Sequence, residues 1–174
     1  LKRLGFQPAI IDDRAFEAGA YSNAPALLLC RAYQMDPRHL DRVAQEVIPA
    51  GIHVHAEADL PGQFDAYHRP NPNWAALMDS LFGIGVSGAV PGLDAIVTND
   101  FYSPLKLKGI ANLAPINPAW AMDFTTWKIW HGITATSAKT IMTDSGYLDS
   151  QPGTPALLVK TNLPGRGRTA INTF

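Results

Sequence analysis

Apolar and polar residues follow two different periods along this chain, and the change of period marks its elements. Leu40, Val43, Ala44 and Val47 recur at i, i+3, i+4 and i+7, with Asp36 at the cap position and Pro37 at the first helical position. That spacing predicts a helix over 37–47. Pro49, Ala50 and Gly51 stop it. The period then drops to two. Ile52, Val54, Ala56 and Ala58 alternate with His53, His55 and Glu57, which predicts a strand over 52–58 with one face in the core and the other carrying polar groups. Asn73 caps a second predicted helix over 74–82, whose inner face is Trp74, Leu77, Met78 and Leu81. Leu93–Thr98 reads as a further strand.

The apolar stretch Ala24–Gln34, with Ser22 or Asn23 as cap and Pro25 in the first turn, predicts a buried helix. Residues 59–73, punctuated by Pro61, Gly62, Pro70 and Pro72, form a loop, and from Tyr102 onward extended segments (127–136 and 155–161 most clearly) are broken by prolines. The expectation is an α+β fold: helices packed on a mixed sheet in the N-terminal two-thirds, then a β and loop-rich C-terminal part. The predicted core contains Leu28, Leu40, Val43, Val54, Leu77, Leu81, Ile96 and Leu158.

At 174 residues with 47% hydrophobic content, one domain spanning 1–174 is the default, as a whole protein or a fragment of a longer chain. Lys+Arg 14 against Asp+Glu 15 leaves a formal charge of -1, so there is no strong nucleic-acid signal and no field toward an anionic membrane. No apolar run reaches the roughly 18–20 residues of a membrane span. Charged residues are only 17%, while Gly 14 and Pro 14 imply many turns. This profile suits a homo-oligomer or a component of a larger assembly. Cys30 is the single cysteine, which excludes an internal disulfide framework.

The candidate chemistry lies on the 52–58 strand. Alternate residues of a strand share a face, so His53 and His55 can offer two imidazoles to one metal ion, with Glu57 in register and Asp59 just beyond. His68 and His131 are available as further ligands. Neutral imidazole suits zinc, copper or iron, and Glu57 or Asp59 then acts as ligand or general base on metal-bound water. This pattern is equally that of a half-exposed strand whose histidines are hydrogen-bonded to neighbours. The order Gly51-Ile52-His53-Val54-His55, His68 before Asn71-Pro72, and a distant His131 resembles that of the copper-ligating histidines in copper/zinc superoxide dismutases. Val47–His55 likewise resembles the first metal-binding strand of amidohydrolases. Both resemblances are short. The first family's zinc ligands, disulfide partner and all-β character are missing here, the second family's barrels are far longer, and neither assigns the chain.

Four further motifs carry possible chemistry. Gly83-Ile84-Gly85-Val86-Ser87-Gly88 matches G-x-G-x-x-G, but it follows a predicted helix and is followed by Pro91-Gly92, so it reads as helix termination rather than dinucleotide binding. Cys30 with His131 as base and Asp144 as orienter fits a thiol nucleophile, against which stands its position after Leu27-Leu28-Leu29 in a buried segment. Gly165-Arg166-Gly167-Arg168 reads as an anion-binding patch, a solvated tail or a subunit contact. Trp120, Phe124, Trp127 and Trp130 suit an interface, a core or carbohydrate stacking. Two readings follow: a metal-dependent enzyme, hydrolytic in preference to redox, and a non-catalytic assembly or interaction subunit, such as a virion or secretion component.

Overall fold

A computed structural model of the chain describes residues 7–30, 32, 34–57, 60–86, 106–107, 132–143, 155–165 and 167–172. The predicted strand 93–98, Ile96, Asp59, His131, Asp144, Arg166 and the cluster Trp120 to Trp130 lie outside these residues.

The elements run α1 (Asp13–Glu17), β1 (Ala26–Leu29), α2 (Pro37–Arg42), a π-helical turn (Val43–Val47), β2 (His53–Ala56), α3 (Trp74–Phe82), β3 (Ile84–Val86), β4 (Lys106–Leu107), β5 (Ile133–Ala135), β6 (Lys139–Thr143), β7 (Pro155–Lys160) and β8 (Thr169–Asn172). A six-stranded mixed sheet has the order β1-β2-β8-β7-β6-β4. β1, β2 and β8 are parallel neighbours, while the β8-β7, β7-β6 and β6-β4 pairs are antiparallel. β3 and β5 form a separate antiparallel ribbon. The predicted α+β class holds.

Register decides which side chains meet. Leu27 lies opposite Val54 and Leu29 opposite Ala56. Ala56 in turn faces Ile171, and Ile171 faces Leu158. All six are buried, together with Leu40, Val43 and Val47 from α2 and its π-turn and Trp74, Met78, Leu81 and Phe82 from α3. Both helices therefore cover the same face of the sheet. At ~25 cal/mol per Å² of apolar area removed from water, this layer is the main favourable contribution to folding.

The helix starts follow local chemistry. Asp36 accepts a hydrogen bond from the Arg38 backbone N–H, and Pro37 takes the first helical position. The Arg38 guanidinium also binds the Asp36 carboxylate, which with the backbone bond holds the carboxyl down to about 2. The helix predicted over 37–47 is realised as α2 followed by the π-turn, whose wider i→i−5 bond, Ile48 N–H to Val43 O at 3.1 Å, adjusts the chain before β2. α3 occupies the predicted 74–82 span and ends at Gly83 with φ 66°, the left-handed cap that favours glycine. Gly83 and Gly85 thus serve helix termination and the start of β3.

One element departs from expectation. Ala24–Gln34 is not a helix: Ala26–Leu29 is strand β1, with burial alternating along Ala26, Leu27, Leu28 and Leu29. Leu28, expected in the core, is 41% exposed. Three consecutive leucines carry no period of their own, so a short apolar run fits a buried helix and a sheet strand alike. Parallel pairing with β2 settles it by burying only Leu27 and Leu29. Leu77 is partly buried at the core margin, and Leu40, Val43, Val54, Leu81 and Leu158 are buried as expected.

α1, absent from the sequence-based expectation, closes on α2 through polar contacts around a small aromatic cluster. The His39 imidazole, itself buried, has Nε2 3.0 Å from Glu17 Oε1, and its ring meets Phe16 edge-on. Arg42 donates to Glu17 O and to Glu46 Oε2, and Tyr21 donates to the same Glu46 oxygen. Those two donors hold the Glu46 carboxyl below its usual range.

Candidate functional site

β2 places His53 and His55 on one side of the sheet, because Val54 and Ala56 between and after them are buried against α2 and α3. The side that carries them also carries Ala26 and Leu28 from β1 and Ala170 and Asn172 from β8. No described helix packs on that side. His53 is exposed and His55 half-buried.

His55 already has a partner. Its Nε2 donates to Asn172 Oδ1 at 2.9 Å, joining β2 to the β8 strand beside it. The remaining ring nitrogen, Nδ1, carries the lone pair of the neutral imidazole. Glu57 follows the carboxyl end of β2, where its N–H donates to Leu29 O. Its carboxylate faces the Cys30 thiol. Partial burial of the sulfur, with the charge and hydrogen bond of Glu57, pushes that thiol up from its ordinary range. Cys30 is an exposed residue just past β1 and not part of a buried helix. A thiol held protonated beside a carboxylate is a weak nucleophile.

His68 is placed elsewhere, in the loop between β2 and α3. Its ring stacks on Phe64 with centroids 4.4 Å apart, and the Gln34 side-chain amide donates to its Nδ1 at 2.9 Å. Its backbone has φ 61°, a left-handed conformation uncommon for a residue with a side chain. The loop is tied to the segment after β1 by Gly62 N–H to Ala32 O and Met35 N–H to Phe64 O. It is tied to itself through Asp65, which accepts from the Arg69 backbone and guanidinium and from the Tyr67 backbone. These bonds lower the Asp65 carboxyl.

The structure thus sets His53 and His55 on one side of β2, with Glu57 just past the carboxyl end of that strand, and sets His68 apart on its own partners. Among the described residues no group of three or more His, Cys, Asp or Glu is arranged to hold a metal ion. Asp59 and His131, the other expected contributors, lie outside the described residues. Asn172 was missed from sequence. Its signal was the alternation Thr169, Ala170, Ile171, Asn172, which predicts a strand with Thr169 and Ile171 on one face and Asn172 on the other. Which histidine it meets depends on strand order, which no local pattern carries. The glycines near the C-terminus also find a structural role. A Cβ on Gly165 or Gly167 would overlap the carbonyls of Pro49 or Ile48, so both allow the chain to pass close to the end of the helix before β2.

No family model and no curated protein matches the chain. Solved structures do share its fold. Gan42B, a GH42 β-galactosidase from G. stearothermophilus, matches in its catalytic-mutant form with a TM-score of 0.55 at 14% identity, over 87% of this chain and 19% of that one. The cold-adapted β-galactosidase from Rahnella sp. R3 matches at 0.53 and 14%, over 86% and 20%. The β-galactosidase from Bacillus circulans sp. alkalophilus matches at 0.52 and 15%, over 85% and 20%. The chain spans about a fifth of the length of each of these proteins. At this identity the likeness shows a shared fold.

Proposed function

We propose that the chain is a non-catalytic assembly module, working beside a catalytic part in a glycoside-hydrolase-type protein. The observation that carries this reading is the side of the sheet bearing Leu28, Ala170 and the two histidines, which no described helix covers. Parallel strands are normally covered on both faces, and β1, β2 and β8 are parallel. A large apolar residue left 41% exposed at such a position suits a surface that another polypeptide covers. The fold's likeness to a fifth of each of three β-galactosidases supports the same reading, since there it is one part of a much longer chain. His55 is then a structural residue, pairing β2 with β8 through Asn172.

A metal-dependent hydrolase is the second reading, favoured by the shared side of His53 and His55 and by Glu57 just past the end of the same strand. In it, His55 Nδ1 and His53 bind zinc, copper or iron, Asp59 or His131 completes the set, and Glu57 or Asp59 is the general base. Elemental analysis and light scattering on the purified protein and on a His53→Ala/His55→Ala double variant separate the two. The assembly reading expects no stoichiometric metal in either protein and concentration-dependent association in both. Near-stoichiometric metal in the wild type that disappears from the variant overturns it in favour of the enzyme.

A further inference from the structure

Among the described histidines only His39 is buried, and a carboxylate stands at each of its ring nitrogens. Nε2 is 3.0 Å from Glu17 Oε1, and Nδ1 is 3.8 Å from Asp13 Oδ1. Both acids belong to α1 and the imidazole to α2, so the ring bridges the two helices. The apolar anchor of α1 is small. Phe16 is its buried residue, packed on Tyr21 and on the edge of the His39 ring. Arg42 adds a bond to Glu17 O. The protonation states of the ring treat the two acids differently. A neutral imidazole has one N–H. With that hydrogen on Nε2 it donates to Glu17, and the Nδ1 lone pair is left facing the Asp13 carboxylate. The imidazolium carries an N–H on each nitrogen and attracts both. The other charges near the ring are paired with one another. Asp36, whose carboxylate also feels the His39 charge, binds Arg38, and Arg42 binds Glu46, which accepts from Tyr21 as well. Those two pairs largely cancel, which leaves Asp13 and Glu17 as the net field on the ring.

We propose that His39 makes α1 a pH-dependent latch: the imidazolium clamps α1 onto α2 through Asp13 and Glu17, and the neutral ring lets α1 open more often. The inference is independent of the assembly reading. Its sign follows from which state takes up the proton. The docked helix favours the imidazolium, so the added hold is full below about pH 6 and fades toward about pH 8. Both carboxylates stay ionised across that window, since ordinary Asp and Glu titrate near about 4. The side chains of Asp13 and Glu17 are 88% and 54% exposed, so the effect is modest and weakens with salt. Opening lifts Phe16 off Tyr21 and His39, which uncovers at neutral pH an aromatic patch that is sealed in mild acid.

The test is native-state hydrogen exchange on the full chain at about pH 5.5 and about pH 8, read as protection relative to the unstructured rate so that base catalysis of exchange cancels. The Phe16 and Ala18 amides, bonded to Asp12 O and Arg14 O, report on α1, and the Val54 amide, bonded to Arg168 O, reports on the sheet. Protection at Phe16 and Ala18 should fall at least about three-fold from the lower pH to the higher, with Val54 unchanged. Asp13→Asn/Glu17→Gln alters two exposed side chains and keeps the buried ring, and its α1 protection should be the same at both pH values. His39→Gln should be flat as well; if it fails to fold, the double variant carries the test. Wild-type protection at Phe16 and Ala18 that does not change with pH overturns the latch, and so does a pH dependence that Asp13→Asn/Glu17→Gln retains.

Discussion

The two faces of the central sheet are built from the same strands and differ in almost everything else. On one, Leu29, Val54, Ala56, Leu158 and Ile171 are sealed under α2, its π-turn and α3. On the other, Leu28, His53, His55, Ala170 and Asn172 alternate with them residue by residue and stay wholly or partly exposed. Alternate residues of any strand share a face, so the common direction of His53 and His55 follows from sheet geometry before any ligand is considered. What distinguishes a site from such a strand is the third group brought in from elsewhere. Here that group is Asn172, an amide that fixes one imidazole by a hydrogen bond.

The sharpest way to break this contrast is to remove equal chemistry from each face. Leu158→Ala deletes a side chain with no exposure and should cost about 2–5 kcal/mol in denaturant unfolding. Leu28→Ala, on the other face of the same sheet, should cost under about 1 kcal/mol in the isolated chain. Similar losses at both positions would mean that the second face is as tightly covered as the first.

The sequence shows unequal amounts of the two faces. The covered one was readable where period and boundary signals coincide: Asp36-Pro37 before Leu40 and Val43, Asn73 before Trp74 and Met78, and the alternation through Val54. Those signals act within one element, so they survive without knowledge of the fold. Leu27-Leu28-Leu29 was misread because an unbroken apolar run has no period, and only pairing with β2 shows which leucine turns out. The polar side was readable in part. The shared direction of His53 and His55 came directly from the strand period. The Asn172 partner lies 117 residues away in sequence and the Gln34 partner of His68 lies 34 away, and both depend on topology. β8 and α1 were missed because each is short, at four and five residues, and sits beside turn residues that dominate a local reading.

Close passage of the chain next to the covered face gives a second test. Gly165 has φ 71°, and an added Cβ would strike the Pro49 carbonyl. Gly165→Ala should therefore cost about 2 kcal/mol, combining left-handed backbone strain with displacement of the segment before β2. The buried Thr169 hydroxyl donates to Leu81 O at 2.6 Å and locks β8 to the end of α3. Thr169→Val keeps the volume but leaves that carbonyl unpaired, and a loss of about 1–3 kcal/mol is expected by the same measurement. A neutral Thr169→Val would indicate that water reaches the helix end, against the dry interior drawn for this face.

On the other side, the two histidines should separate from each other. His55→Ala removes the bond to Asn172 and should cost about 0.5–1.5 kcal/mol, whereas His53→Ala should fall within about 0.5 kcal/mol of wild type. A double-mutant cycle with Asn172→Ala checks the assignment, since the coupling should appear with His55 and vanish with His53. Equal and strong coupling at both would point to a joint role for the pair, as the metal reading requires.

The smallest expected effect concerns acid and the helix that covers the core. Asp36 caps α2, and its carboxyl is held down to about 2 by the side-chain and backbone bonds of Arg38. A carboxylate with a folded-state value below its unfolded one stabilises the fold above the unfolded value, near 4, and loses that contribution as pH falls toward 2. The Arg38 side chain is 80% exposed, so solvent screens the pair and its share should lie in the range of about 0.2–1 kcal/mol usual for surface ion pairs. Unfolding measured from pH 5 down to pH 2 should show wild type losing this increment while Asp36→Asn, a neutral residue that still caps, shows a correspondingly flatter slope. Hydrogen exchange at Leu40 and Val43, under the cap, should rise in the same window ahead of that at Val54 in the sheet. Parallel acid profiles for the two proteins would show that the Asp36 charge contributes nothing to holding α2 on the covered face, leaving the buried apolar contacts of Leu40 and Val43 as its attachment.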